Sequence, residues 1–323
     1  MPDQSPDETP SGALDAEGVD GKSLSRRRFL KFGLGGAAVV VVAGATGFEL
    51  VSHGVLPGKQ RLDQLDGACS VGSPRLVFSS TGPSVAGTFI SKARNRTVGY
   101  TIAYPPGYGS GAVLPLVVML HGFGGNHNDA LVGMSPAQAL ALRVNGHDLA
   151  PMAMVTVDGG GGYWNPHPGD DAMGMVIDEL IPMCQARGLG RPPQKIGMMG
   201  ISMGGYGAIL LAEKYPDLIA SVAAISPAVW TTYAEAHLAN AGAYASSEAF
   251  TANDAITHAN ALAGKPVRVA SADDDPFHPG VEALARAMVP TTAVQFYPGC
   301  HSGPFFLSQE PPSLAFLAQH LRS

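Results

Sequence analysis

Residues 195–215 constrain the fold more than any other stretch. Lys195-Ile196-Gly197-Met198-Met199 is a short apolar run, and Ala208-Ile209-Leu210-Leu211-Ala212 lies on a helical pattern that stops near Tyr215-Pro216. Between them stands Gly200-Ile201-Ser202-Met203-Gly204, a G-x-S-x-G pattern. Such a pattern suits a very sharp strand-to-helix turn, which crowds the backbone two positions before and two after the serine. Glycine at 200 and 204 removes the Cβ atoms that would clash there. The chain contains 41 glycines, so a chance turn with an idle serine is the competing explanation. The strand before and the helix after argue against it.

The rest of the chain repeats this alternation. Residues 116–120 (Leu-Val-Val-Met-Leu) are continuously apolar, as a parallel strand buried on both faces should be. Residues 152–157, 196–199, 222–225, 267–270 and 294–297 have the same character. Helical patterns fall at 135–144, 172–187, 205–214, 280–288 and 312–321. Residues 75–80, 87–91 and 98–104 alternate and read as antiparallel strands at one edge. The expected fold class is α/β: an open, mostly parallel sheet with helices on both faces. Residues 227–264 lack a strong strand and read equally as a small helical cap or as a packed crossover.

The chain has 323 residues and is 46% hydrophobic, enough for one large domain with extra segments. Its net charge is −6 with only 14% charged residues, so no basic stripe for nucleic acid exists beyond one N-terminal cluster. No C-x-x-C or H-E-x-x-H occurs, which argues against a zinc site, and no metal or cofactor is expected. Cys69, Cys184 and Cys300 allow at most one internal disulfide, and the sequence leaves the pairing open.

Residues 1–24 are rich in Pro, Asp, Glu, Ser and Gly. Ser25-Arg26-Arg27-Arg28-Phe29-Leu30-Lys31 and the short Gly/Ala-rich apolar run at 34–48 resemble a twin-arginine export signal. That resemblance implies the twin-arginine export machinery as a partner and an extracellular, cell-wall or periplasmic destination. An uncleaved membrane anchor is the competing reading. The expected organisation is a signal region at 1–48, a linker at 49–73 and a catalytic domain at 74–323.

A serine hydroxyl is a weak nucleophile unless a base activates it and a third group orients that base. Ser202 is the candidate nucleophile. The base should stand at the carboxyl edge of the sheet, after the last strand, which selects His301 in Gly299-Cys300-His301-Ser302. The acid should follow the preceding strand, in Asp273-Asp274-Asp275-Pro276-Phe277. Asp275 is chosen, with Asp274 second. Two backbone N–H groups must hold the developing oxyanion. Met203 follows the serine at a helix start, where the dipole favours negative charge. Phe123, in His121-Gly122-Phe123-Gly124-Gly125 after the 116–120 strand, is expected to supply the other, with Gly124 second. Gly124 and Trp164, the latter in the loop Gly159 to Asn165, are expected to line the substrate pocket; a glycine-rich surface loop around one buried Trp is the competing reading of that loop. His121 is read as structural.

Taken together, residues 75–321 resemble the esterase D-like branch of the α/β-hydrolases, which includes carboxylesterases, feruloyl esterases and exported mycolyltransferases. The resemblance is carried by Tyr104-Pro105-Pro106-Gly107-Tyr108, the 121–125 run, Gly200-Ile201-Ser202-Met203-Gly204-Gly205, Asp274-Asp275-Pro276-Phe277 and His301-Ser302. The family's Asp-x-Phe acid position falls on Asp275. Ala272 departs from the family, which usually has Gly there. The resemblance implies an α/β-hydrolase fold with little or no cap and a serine hydrolase acting on small-molecule or lipid esters. The alternatives are an acyltransferase using the same acyl-enzyme and a non-catalytic cell-wall-binding relative.

Overall fold

The computed structural model describes Cys69, residues 71–288 and residues 293–322. The signal region and most of the expected linker, residues 1–68, lie outside the described residues.

Eight strands form one sheet: β1 Ser84–Ser91, β2 Arg96–Ala103, β3 Leu116–Leu120, β4 Ala153–Val157, β5 Ile196–Ile201, β6 Ile219–Ile225, β7 Val267–Asp274 and β8 Val294–Cys300. Their spatial order is β1-β2-β4-β3-β5-β6-β7-β8. β1 and β2 pair antiparallel, β2 pairs antiparallel with β4, and every pairing from β4 to β8 is parallel. The continuous apolar runs follow from burial on both faces. Leu116, Val118 and Leu120 enter one core, and Val117 and Met119 the other. Helices α2 (Ala172–Gly174, a π-helical turn Met175–Leu180, then Ile181–Gln185), α3 Met203–Lys214 and α7 His278–Ala287 cover the first face. Helices α1 Pro136–Leu140 and α8 Gly303–His320 cover the second. The open, mostly parallel sheet with helices on both faces is the one the sequence pattern predicts.

Three local expectations change. Residues 75–80 form no sheet strand; Phe78 makes a single bridge to Leu142, and the segment crosses the surface with Val77 and Phe78 exposed. The helix expected over 135–144 stops at Leu140. Asn145 and Gly146, both with positive φ, instead turn Arg143–Val144 back onto His147–Asp148. The last helix begins at Gly303 rather than Pro312 and carries Pro311 and Pro312 inside it. Proline costs a helix interior about 3 kcal/mol. Here Phe305, Leu314 and Leu317 are fully buried against the sheet, and Arg268 donates to Gln309 and Ser313. Glu310 accepts from the Val132 amide at 2.6 Å, and burial raises its pKa to about 8.

Residues 227–264 fold as short helices, α4 Tyr233–Ala239, α5 Ser247–Ala252 and α6 Ala255–His258, plus a 3-10 turn Ala259–Leu262. Ala236, Tyr244, Phe250, Ala259 and Leu262 join the first core, so this segment is chiefly a packed crossover between β6 and β7. Among the described residues no helix is long and apolar enough to cross a membrane, and no His/Cys/Asp/Glu group could hold a metal. Cys69 and Cys300 form a disulfide, and Cys184 is a buried free thiol whose pKa burial pushes up to about 12.

Candidate active site

Ser202 sits between β5 and α3 with φ 57° and ψ −119°, a strained conformation for a residue with a side chain. Cβ atoms at 200 and 204 would strike the Gly204 and Leu120 carbonyl groups, so both glycines are required for the turn. The strain is held from outside: Ser202 N–H donates to Ile225 O at 2.9 Å, and Ser202 O accepts from Tyr206 and Ala228 N–H at 3.0 Å each. The side chain remains partly exposed.

The other two groups arrive from the far side of the sheet. β7 and β8 run side by side, and after a register shift Asp274 pairs with Cys300. Asp275 and His301 therefore leave adjacent strand ends. The Nδ1 of His301 bonds Asp275 Oδ2 at 2.9 Å, and its Nε2 bonds Ser202 Oγ at 2.9 Å. The Asp275 carboxylate is fully buried, and its Oδ1 accepts from Phe277 N–H at 2.9 Å. Phe277 and Phe306 both meet the imidazole edge-on, with centroids 5.2 and 4.9 Å away. Asp273, by contrast, is exposed. The sequence reading thus selected the aspartate that the fold turns inward.

The loop after β3 lies against the turn because Leu120 pairs with Gly200. A Cβ on Gly122 would stand 3.7 Å from that of Ser202. Met203 opens α3, so its N–H lacks an intrahelical acceptor. The N–H of Phe123 has no acceptor among the described residues. Phe123 itself is 63% exposed, and Gly124, at φ 79°, has open space beside it.

Trp164 requires a correction. It is fully buried rather than pocket-lining. Its ring fills the space that Cβ atoms on Gly159 and Gly207 would need, and its Nε1–H donates to His121 O at 3.3 Å. It supports the 121–125 loop from below. His121, also fully buried, completes that support. Its Nε2 accepts from Gly159 N–H at 2.9 Å, which leaves the ring proton on Nδ1 to donate to Gly122 O at 2.7 Å. Burial holds its pKa below the ordinary histidine value, keeping the ring neutral.

One arrangement escaped the sequence. Asp158, at the end of β4, accepts from the backbone N–H and the Nδ1 of His127 at 2.8 and 2.7 Å, and from Gly99 N–H at 2.9 Å. Burial acts to raise its pKa, but the bonds from His127 and Gly99 outweigh this and hold the carboxyl below its usual range. No motif marks this pair, because its members meet only through strand pairing.

Residues 91–277, more than half of the chain, match the family of putative esterases. No curated protein sequence matches the chain. Among solved structures it is similar to a ferulic acid esterase (19% identity, TM-score 0.63, covering 76% of this chain and all of that one). An S-formylglutathione hydrolase from Agrobacterium tumefaciens is similar at 18% identity and TM-score 0.58, over 78% of this chain and all of that one. A fluorophosphonate-binding serine hydrolase of Staphylococcus aureus is similar at 15% identity and TM-score 0.56, over 74% of this chain and 99% of that one. At these identities the structures speak for the fold, while the family match covers the strand–turn–helix around Ser202 and extends through Asp275. The chain belongs to the esterase family, and it is a serine hydrolase with the α/β-hydrolase fold.

Proposed function

We propose that this chain is an exported carboxylesterase working through an acyl-enzyme, with residues 74–323 as its catalytic domain. The observation that carries the reading is the continuous hydrogen-bonded line from Ser202 through His301 to Asp275. Ser202 Oγ attacks the ester carbonyl carbon while His301 Nε2 takes its proton. Asp275 holds the Nδ1–H, fixes the tautomer and stabilises the imidazolium. Charge developing on the carbonyl oxygen is held by the N–H groups of Met203 and Phe123, and the α3 dipole adds to their effect. The imidazolium then protonates the departing alkoxide. Water, deprotonated by His301, attacks the acyl carbon and releases the acid, restoring Ser202. Gly124 leaves the approach beside Phe123 open to a small-molecule or lipid ester.

Export rests on the twin-arginine-like segment at 25–48, and the Cys69–Cys300 disulfide supports it, since such bonds persist in oxidising compartments. A fluorophosphonate probe should label the folded protein at Ser202. A panel of p-nitrophenyl esters of rising chain length, assayed with and without glycerol, should show hydrolysis dominating. Dominant acyl transfer to glycerol would make the protein an acyltransferase. A folded sample that neither labels nor turns over would sink the enzymatic reading in favour of a non-catalytic scaffold.

A further inference from the structure

His301 must be placed to within a fraction of an ångström, yet it stands at an edge of the sheet. It follows β8, the last strand of the sheet, which is hydrogen-bonded to a neighbour on one side only. The β7–β8 register shifts just before the site, so the ladder supporting His301 is interrupted between Ala272 and Asp274. The backbone reaching it bends through Gly299 at φ 138°, a conformation that side chains rarely adopt.

Two features of the segment before the sheet compensate. Cys69 is bonded to Cys300, the residue immediately before His301, across a sequence separation of 231. Val71 lies against Gly299, where a Cβ would meet its Cγ2 at 2.8 Å and the Phe305 ring at 3.0 Å. The segment then runs on to bond the loop after α1, through Ser79 N–H to Ala141 O at 2.8 Å and Arg143 N–H to Val77 O at 2.7 Å. A crosslink meant only to staple the domain could sit anywhere along an edge. This one pins the residue next to the imidazole, with Cys300 fully buried.

We infer that the Cys69–Cys300 crosslink is a positioning element for His301, so that full esterase activity belongs to the oxidised protein. This rests on the reading of His301 as the base for Ser202. Without the crosslink the β8 end relaxes, the Nε2–Oγ alignment loosens, and proton transfer slows while ester binding is left nearly intact.

The test compares the full-length protein, its Cys69→Ala variant and the wild type reduced with a phosphine. In that reaction the phosphine is oxidised to its oxide by way of water as the disulfide takes up two electrons and two protons. Cys184 is buried, so Cys184→Ala serves as a control with unchanged kinetics. In Cys69→Ala and in the reduced protein, kcat for a p-nitrophenyl ester should fall about 10- to 100-fold with KM within about twofold. Fluorophosphonate labelling should slow in parallel, near-UV circular dichroism should stay native, and reoxidation should restore only the wild type. Retention of kcat in both samples overturns the inference, as does loss of native circular dichroism in both, which would make the crosslink a global staple. Failure of the oxidised wild type to label would instead sink the reading beneath it, so the two failures are separable.

Discussion

Two aspartate–histidine pairs stand at the same end of the sheet, built almost alike. In each, an imidazole Nδ1 meets a carboxylate, at 2.9 Å for His301–Asp275 and 2.7 Å for His127–Asp158, and both histidine side chains are 17% exposed. They differ in what lies beyond. The Nε2 of His301 faces Ser202 Oγ, whereas no described residue hydrogen-bonds the Nε2 of His127. The carboxylates differ too. Asp275 is fully buried and spends one oxygen on the imidazole, while Asp158 is 35% exposed and gathers backbone N–H groups from Gly99 within β2 and from His127 in the loop after β3. An aspartate–histidine pair is therefore not in itself a catalytic signature. The strained serine turn converts one pair into a candidate proton relay, and its absence leaves the other as a clasp.

The largest effect should come from removing what distinguishes them. Ser202→Ala should lower p-nitrophenyl ester turnover by about 10⁴- to 10⁶-fold with unchanged melting temperature. A variant that keeps most of its activity would erase the distinction between the pairs. Asp275→Asn, which presents the imidazole with a neutral partner and the wrong tautomer, should cost about 10²- to 10⁴-fold in kcat. Asp158→Asn should act in the opposite currency. Kinetics should change by less than about tenfold, and stability should fall by roughly 1–2 kcal/mol after allowing for its solvent-exposed edge, read by urea denaturation.

Acid sharpens the same contrast. The folded protein holds Asp158 below its ordinary pKa, so near and below that value the unfolded chain binds more protons. The stabilisation is present above the ordinary carboxylate pKa and is lost as pH falls through the lowered folded value. The stability gap between wild type and Asp158→Asn should thus close in acid. A gap that widens there would reverse the assigned sign. The smallest effect belongs to Asp273→Asn. This exposed neighbour should leave kcat within about twofold, and a large loss would move the acid away from Asp275.

Much of the site was legible because it is written in local spacing. The glycines around Ser202, the strand before and the helix after need only short-range sterics to be recognised. Asp275 and His301 follow from a rule about strand ends, and the structure seats both at the expected edge. Trp164 was misread because its loop follows a strand at the catalytic edge, a position that favours pocket lining over a buried indole. Its burial depends on Gly159 and Gly207 leaving room for an indole, and Gly207 comes from a different part of the chain. The early start of α8 was hidden by Pro311 and Pro312, whose local penalty is outweighed by a face of buried residues that a single helix pattern does not reveal.

The amino-acid sequence alone determined the alternation of strands and helices, the sharp turn at Ser202 and the residue types competent to serve it, because those depend on neighbours a few positions apart. Tertiary structure decided which cysteines join, that a second aspartate–histidine pair forms at His127 and Asp158, and which aromatic ring is buried. Those outcomes turn on strand order and register, which bring together groups 99 residues apart at Ser202 and His301 and 231 apart at the disulfide. Contacts at such separations are settled by the summed packing of the whole sheet, and no local stretch of sequence encodes that sum.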